Sequence, residues 1–115
     1  MPVTIYHNPR CSKSRETLKL LQSKQVSLDI IEYLKTPPDA KTLSAILDKL
    51  GLEPRDLMRK KEPPYKAKKL DDPKLSRKAL IDAMVADPVL IERPIVLSGG
   101  KAALGRPPES VLKIL

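Results

Sequence analysis

Cysteine occurs once in the 115 residues, at position 11, and its neighbours Arg10, Ser12, Lys13 and Ser14 are all polar. A lone thiol is either a small buried hydrophobe or a nucleophile. The second reading gains from where Cys11 falls, directly ahead of a stretch that reads as helix. There it meets unpaired backbone N–H groups and the positive end of the helix dipole. An ordinary thiol, with a pKa near ~8.5, is only about 3% ionised at neutral pH, and a drop of ~2 units makes the thiolate the main form. Arg10 and Lys13 flank the sulfur, Arg15 lies one turn on, and His7, the only histidine, precedes it by four residues. An oxyanion arriving there would meet the same backbone donors and guanidinium groups. For His7 a plain capping role competes with one beside the sulfur, and for Ser14 a first-turn hydroxyl bonded to backbone does the same. A single cysteine makes neither an internal disulfide nor a thiolate-rich zinc site.

The elements that must position these residues follow from spacing. Val3-Thr4-Ile5-Tyr6 reads as a strand stopped by His7-Asn8-Pro9. A helix from about Ser12 to Lys24 sets Leu18 and Leu21 on one face, with Lys19 pointing away. Leu28 to Tyr33 is a second strand, parallel to the first by a right-handed crossover. Leu43, Ile46, Leu47 and Leu50 define a helix with Asp39 near its start and Gly51 past its end. Pro54 opens a short helix through Leu57 and Met58, and the basic, proline-rich stretch after it reads as a loop. Asp72-Pro73 is read as the cap and first turn of a helix to about Ala86. Pro94–Ser98 and Lys101–Leu104 form a hairpin around Gly99-Gly100, and a final helix near Pro107 turns Val111, Leu112 and Leu115 inward. The order is β-α-β, a helical block at about 37–88, then β-β-α.

Composition narrows the function. Length sets one domain, residues 1–115, and the 41% apolar content is nearly all aliphatic, with three Tyr and no Phe or Trp. Aromatic platforms for stacking bases are almost absent. The net charge of +8 is concentrated in Arg59–Lys69, where six basic residues and one acid fall in eleven. Such a patch suits an anion, a phosphate backbone or only water. No window is apolar enough to span a membrane and no signal peptide opens the chain, so the expected site is the cytoplasm, with no membrane or nucleic-acid partner.

His7-Asn8-Pro9-Arg10-Cys11-Ser12-Lys13-Ser14-Arg15 resembles the active-site loop of the glutaredoxin-linked arsenate reductases, His-Asn-Pro-x-Cys-x-x-Ser-Arg. Three further segments match in order: Met58-Arg59-Lys60-Lys61-Glu62 followed by Tyr65, then Glu92-Arg93-Pro94-Ile95-Val96, then Gly105-Arg106-Pro107-Pro108-Glu109. The resemblance implies a thioredoxin-like α/β fold with a mixed four-stranded sheet and a helical insertion, and a cis peptide at Arg93-Pro94. It implies Cys11 as nucleophile, His7 helping to keep the sulfur ionised, Ser14 hydrogen-bonded to it, and Arg59, Arg93 and Arg106 holding arsenate. It further implies glutathione as co-substrate and glutaredoxin as protein partner, with no bound cofactor and no metal; a monomer is expected. Arg10, Ser12 and Lys13 occupy positions where family members often carry smaller or uncharged residues.

The chemistry suits the residue types. Guanidinium forks neutralise and orient a tetrahedral dianion better than ammonium groups do, and these motif positions hold Arg in a chain with more than twice as many Lys as Arg. Two rival readings share the fold. One is a polymerase-binding transcription regulator, whose oxidation switch needs a second cysteine where this chain has Ser14. The other is a monothiol glutathione-dependent oxidoreductase, which needs no convergent arginines.

Overall fold

The structure is a computed structural model and describes residues 2–115. Its strands are β1 (Val3–His7), β2 (Leu28–Glu32), β3 (Ile95–Ser98) and β4 (Lys101–Leu104), and its α-helices are α1 (Ser12–Ser23), α2 (Ala40–Leu50), α3 (Pro63–Ala67) and α4 (Arg77–Ala86). Short 3₁₀ turns occupy Pro54–Leu57, Pro88–Leu90 and Pro108–Ile114. The chain packs as two compact units, one of residues up to Thr36 with Arg93–Leu115, the other of Pro37–Glu92.

In the first unit the four strands make one mixed sheet in the order β2-β1-β3-β4. β1 runs parallel to β2, with Ile5 opposite Ile30, and antiparallel to β3, with Ile5 opposite Val96. This is the expected β-α-β and β-β-α arrangement. β1 is central and its side chains are almost wholly buried, whereas β2 is an edge strand and leaves Ile30 47% exposed. Val3, Ile5, Leu21, Val96 and Val111 form the aliphatic core, with Leu18, Val26 and Ala103 packed on it. Gly99 and Gly100 both take positive φ, 55° and 80°, as the tight turn between β3 and β4 requires.

One local reading changes in this unit, and others gain detail. α1 sets Leu18 and Leu21 against the core and leaves Lys19 exposed, as read, and it also buries Ser14 and Thr17. Those hydroxyls are satisfied, Thr17 Oγ1 donating to the Lys13 carbonyl at 2.8 Å, which is what allows their burial. The C-terminal segment is 3₁₀ rather than α. Its threefold repeat aligns Pro108, Val111 and Ile114 on the sheet, leaving Leu112 and Leu115 exposed at 37% and 45% instead of turned inward. The Arg93–Pro94 peptide is cis, as the resemblance implies, and so is Arg106–Pro107, which no motif signals.

Gly105 follows β4 where the chain runs against α1. A Cβ there would overlap Thr17 Oγ1 and lie 2.6 Å from Pro94 Cγ. Gly105→Ala is therefore expected to cost about 2–3 kcal/mol, read as a lowered denaturation midpoint, because neither neighbour can retreat without disturbing packed backbone.

In the second unit α2 has the caps read from sequence: the Asp39 carboxylate accepts the Thr42 N–H at 2.8 Å, and Gly51 closes the helix at φ 68°. The Pro54–Leu57 turn is closed by reciprocal Glu53 and Asp56 capping. The basic stretch read as a loop contains α3, begun by Pro63 and Pro64, because proline suits the first helical turn. α4 starts at Arg77, not at Asp72. Ser76 caps it by accepting the Ala79 N–H, while the Asp72 carboxylate closes a separate turn on the Lys74 N–H.

Candidate functional site

Cys11 is the N-cap residue of α1, in extended conformation at φ −96°, ψ 124°. The loop before it is tied by Asn8, whose carbonyl accepts the Cys11 N–H at 3.0 Å and whose side-chain oxygen accepts the Arg10 N–H at 3.0 Å. Asparagine ahead of proline is an ordinary turn-former, and that local habit delivers the thiol to the helix end. Arg15, one turn into α1, braces the same loop by donating to the Pro9 carbonyl. The sulfur makes no short capping hydrogen bond, yet the first-turn N–H groups lie near enough to act on it electrostatically.

Two arginines, one before β3 and one after β4, act on Sγ. Arg106 Nη2 lies 3.8 Å from Sγ, and Arg106 Nε donates to the Arg93 carbonyl at 2.9 Å. Arg93 is 9% exposed and its guanidinium also acts on the sulfur. Cys11, 8% exposed, is buried, and burial pushes its pKa up. The Ser14 N–H, the Arg93 charge and the Lys13 N–H pull the other way and prevail, so the thiol ionises below its ordinary range.

His7 ends β1 and is buried, its Nδ1 sharing a 2.6 Å hydrogen bond with Ser14 Oγ. That hydroxyl also accepts the Asn8 N–H at 3.0 Å. The described contacts of the Ser14 side chain are thus to His7 and Asn8, and it is the Ser14 backbone N–H that faces the sulfur. Burial lowers the His7 pKa, the Glu32 carboxylate opposes and the Arg15 charge assists, leaving the imidazole below its ordinary value and neutral at pH 7.

This has a consequence for stability. As pH falls below about 6.5 the unfolded chain takes up a proton on His7 while the folded one does not, so the unfolded state gains and stability drops. The denaturation midpoint should therefore fall on mild acidification, and by less in His7→Gln.

Of the residues singled out from sequence, His7, Cys11, Ser14, Arg93 and Arg106 come together in the first unit. Arg59 belongs to the second unit, where its guanidinium donates to Glu62 Oε1 at 2.9 Å and lies 4.0 Å from Glu92. Asn8 and Thr17 were not singled out and hold the loop and helix in place, and Arg15, read as a cation near the sulfur, also ties the loop through the Pro9 carbonyl. Among the described residues no group of three or more His, Cys, Asp or Glu could hold a metal ion, and no helix is long and apolar enough to cross a membrane.

The ArsC family model matches residues 6–114. The chain is 57% identical to uncharacterized protein YfgD of Escherichia coli K12, across 98% of this chain and 96% of that one. It is 48% identical to an arsenate reductase of Neisseria meningitidis serogroup A, across 98% and 97%. An arsenate reductase from Vibrio cholerae, 52% identical, superposes with a TM-score of 0.96 over 100% of this chain and 98% of its own. With the match running from the end of β1 to the last residue but one, the chain belongs to the ArsC family and carries its thioredoxin-like fold.

Proposed function

We propose that this protein reduces arsenate to arsenite with Cys11 as its nucleophile, glutathione as co-substrate and glutaredoxin as partner. The observation that carries the reading is the lone sulfur at the start of α1, drawn below its ordinary pKa and 3.8 Å from Arg106. The arsenate reductases of N. meningitidis and V. cholerae, similar over their full lengths, support arsenate as the substrate.

The Cys11 thiolate attacks arsenic; the S–As bond forms and one oxygen leaves as water after protonation. Arg93 and Arg106 neutralise the oxyanion as it arrives. His7 and Ser14 hold the loop so that the Ser14 N–H faces the sulfur. The protein has one cysteine, so no internal thiol can resolve the adduct. Glutathione replaces a second oxygen on arsenic, which remains As(V). The glutaredoxin thiolate then attacks the glutathione sulfur, and the S–As electron pair stays on arsenic to give As(III) and a glutathione–glutaredoxin disulfide. Water displaces Cys11 and arsenite is released. No bound cofactor takes part, and the external thiols place the reaction in the reducing cytoplasm.

A coupled assay tests this by following NADPH consumption through glutathione reductase. Consumption should require arsenate, glutathione, glutaredoxin and the protein together. A rate no greater than that without protein would end the reading. Consumption with a mixed disulfide but not with arsenate would select the monothiol oxidoreductase instead.

A further inference from the structure

A cleft of about 270 Å³ opens beside the Cys11 loop, lined by His7, Asn8, Pro9, Arg10, Glu32, Leu34 and Lys35, all in the first unit. Its volume sits just under the usual range of ligand pockets, which begins near ~300 Å³, so it would hold much of a small peptide but not a protein segment. Three of its side chains are charged. Lys35 Nζ lies 3.6 Å from Glu32 Oε1, making an adjacent cation and anion at one end. Arg10 is exposed, and its guanidinium makes no hydrogen bond or ion pair among the described residues. Pro9 and Leu34 add apolar surface, Leu34 being 45% exposed at the end of the edge strand β2.

Resting on the proposed reaction, we infer that this cleft binds the external thiol, and that its ligand class is a small thiol peptide carrying two carboxylates and one ammonium, the charge pattern of glutathione. Glu32 and Lys35 meet an α-ammonium and α-carboxylate together, since that zwitterionic end presents the same two charges in reverse. Arg10 takes the second carboxylate in a bidentate fork. The cleft carries two cations and one anion, and the ligand two anions and one cation, so every charge is matched. Arg10 directly precedes Cys11, so a peptide held by Arg10 has its thiol delivered to the loop where the arsenic adduct forms. There the thiolate sulfur replaces one arsenic oxygen, which departs as water with the arsenic still As(V).

Binding is read first without turnover, by titrating glutathione and S-methylglutathione into the full-length Cys11→Ser protein and following amide NMR shifts. Both ligands should move residues 7–10 and 32–35, and Arg10→Glu in the same background should remove the effect. Shifts centred elsewhere, or none at millimolar ligand, would overturn the site. The second measurement is the arsenate assay. Arg10→Ala and Lys35→Ala should each raise KM for glutathione about three- to tenfold, as loss of one partly exposed charge pair allows, with a smaller effect on KM for arsenate. Equal effects on both, or none on glutathione, would overturn the inference. A wild-type protein that turns over no arsenate yet shows the shifts refutes the proposed reaction and leaves the thiol site standing.

Discussion

Cys11→Ser is expected to keep the fold and lose at least about 10³-fold in arsenate turnover. The oxygen nucleophile that replaces the sulfur is protonated at every working pH, and there is no second cysteine to substitute for it. Stability should hardly change, because serine is among the preferred N-cap residues and Cys11 occupies that position, so a shift within about 1 kcal/mol, upward as readily as downward, is expected. The two readouts separate chemistry from folding: denaturation should superpose on the wild type while NADPH consumption falls to the blank. A serine variant with more than a few per cent of wild-type turnover would contradict thiolate attack.

Arg93→Ala should have the next largest effect, acting on the sulfur and on the oxyanion together. Arg93 favours the ionised Cys11 both by its charge and by a hydrogen bond, so its loss should raise the thiol midpoint. Turnover should fall about 10²- to 10³-fold, since a preorganised cation facing developing charge is removed from a largely buried site. Arg93→Met fills more of the vacated volume and serves as the stability control. If both variants fold and neither moves the alkylation midpoint of Cys11, the guanidinium does not tune the sulfur. Arg93→Lys should recover part of the midpoint and less of the turnover, because an ammonium lacks the planar fork.

How far these features can be read ahead of the structure depends on whether the governing force leaves a periodic trace. α2 was legible because Leu43, Ile46 and Leu47 bury an apolar stripe between an Asp cap and a Gly stop. The β3–β4 hairpin was legible because only glycine settles comfortably at both of its turn positions. α1 was legible in its Leu18 and Leu21 face but not in its burial of Ser14 and Thr17, which rests on hydrogen bonding that hydrophobic periodicity does not register. The C-terminal turn misled because a threefold and a 3.6-fold repeat differ by less than one residue over a single turn, enough to turn Leu112 outward.

The candidate site divides along the same line. Cys11 and its helix end follow from local sequence, and Arg93 and Arg106 were found through motifs rather than spacing, because it is the strand order that brings them to the sulfur. The neutral state of His7 was not legible, for it depends on burial at the end of the central strand outweighing the Glu32 carboxylate on the neighbouring strand. The cleft joining Arg10 to Lys35 depends likewise on β2 lying beside β1, which parallel pairing implies only in outline.

The most direct measurement is the rate of alkylation of Cys11 by iodoacetamide as a function of pH on the folded wild-type protein, checked against thiolate ultraviolet absorbance. The expected result is a midpoint below the ordinary thiol value of about 8.5, and a higher midpoint in Arg93→Ala. A midpoint at or above about 8.5 in the wild type, unmoved by removing Arg93, would contradict it.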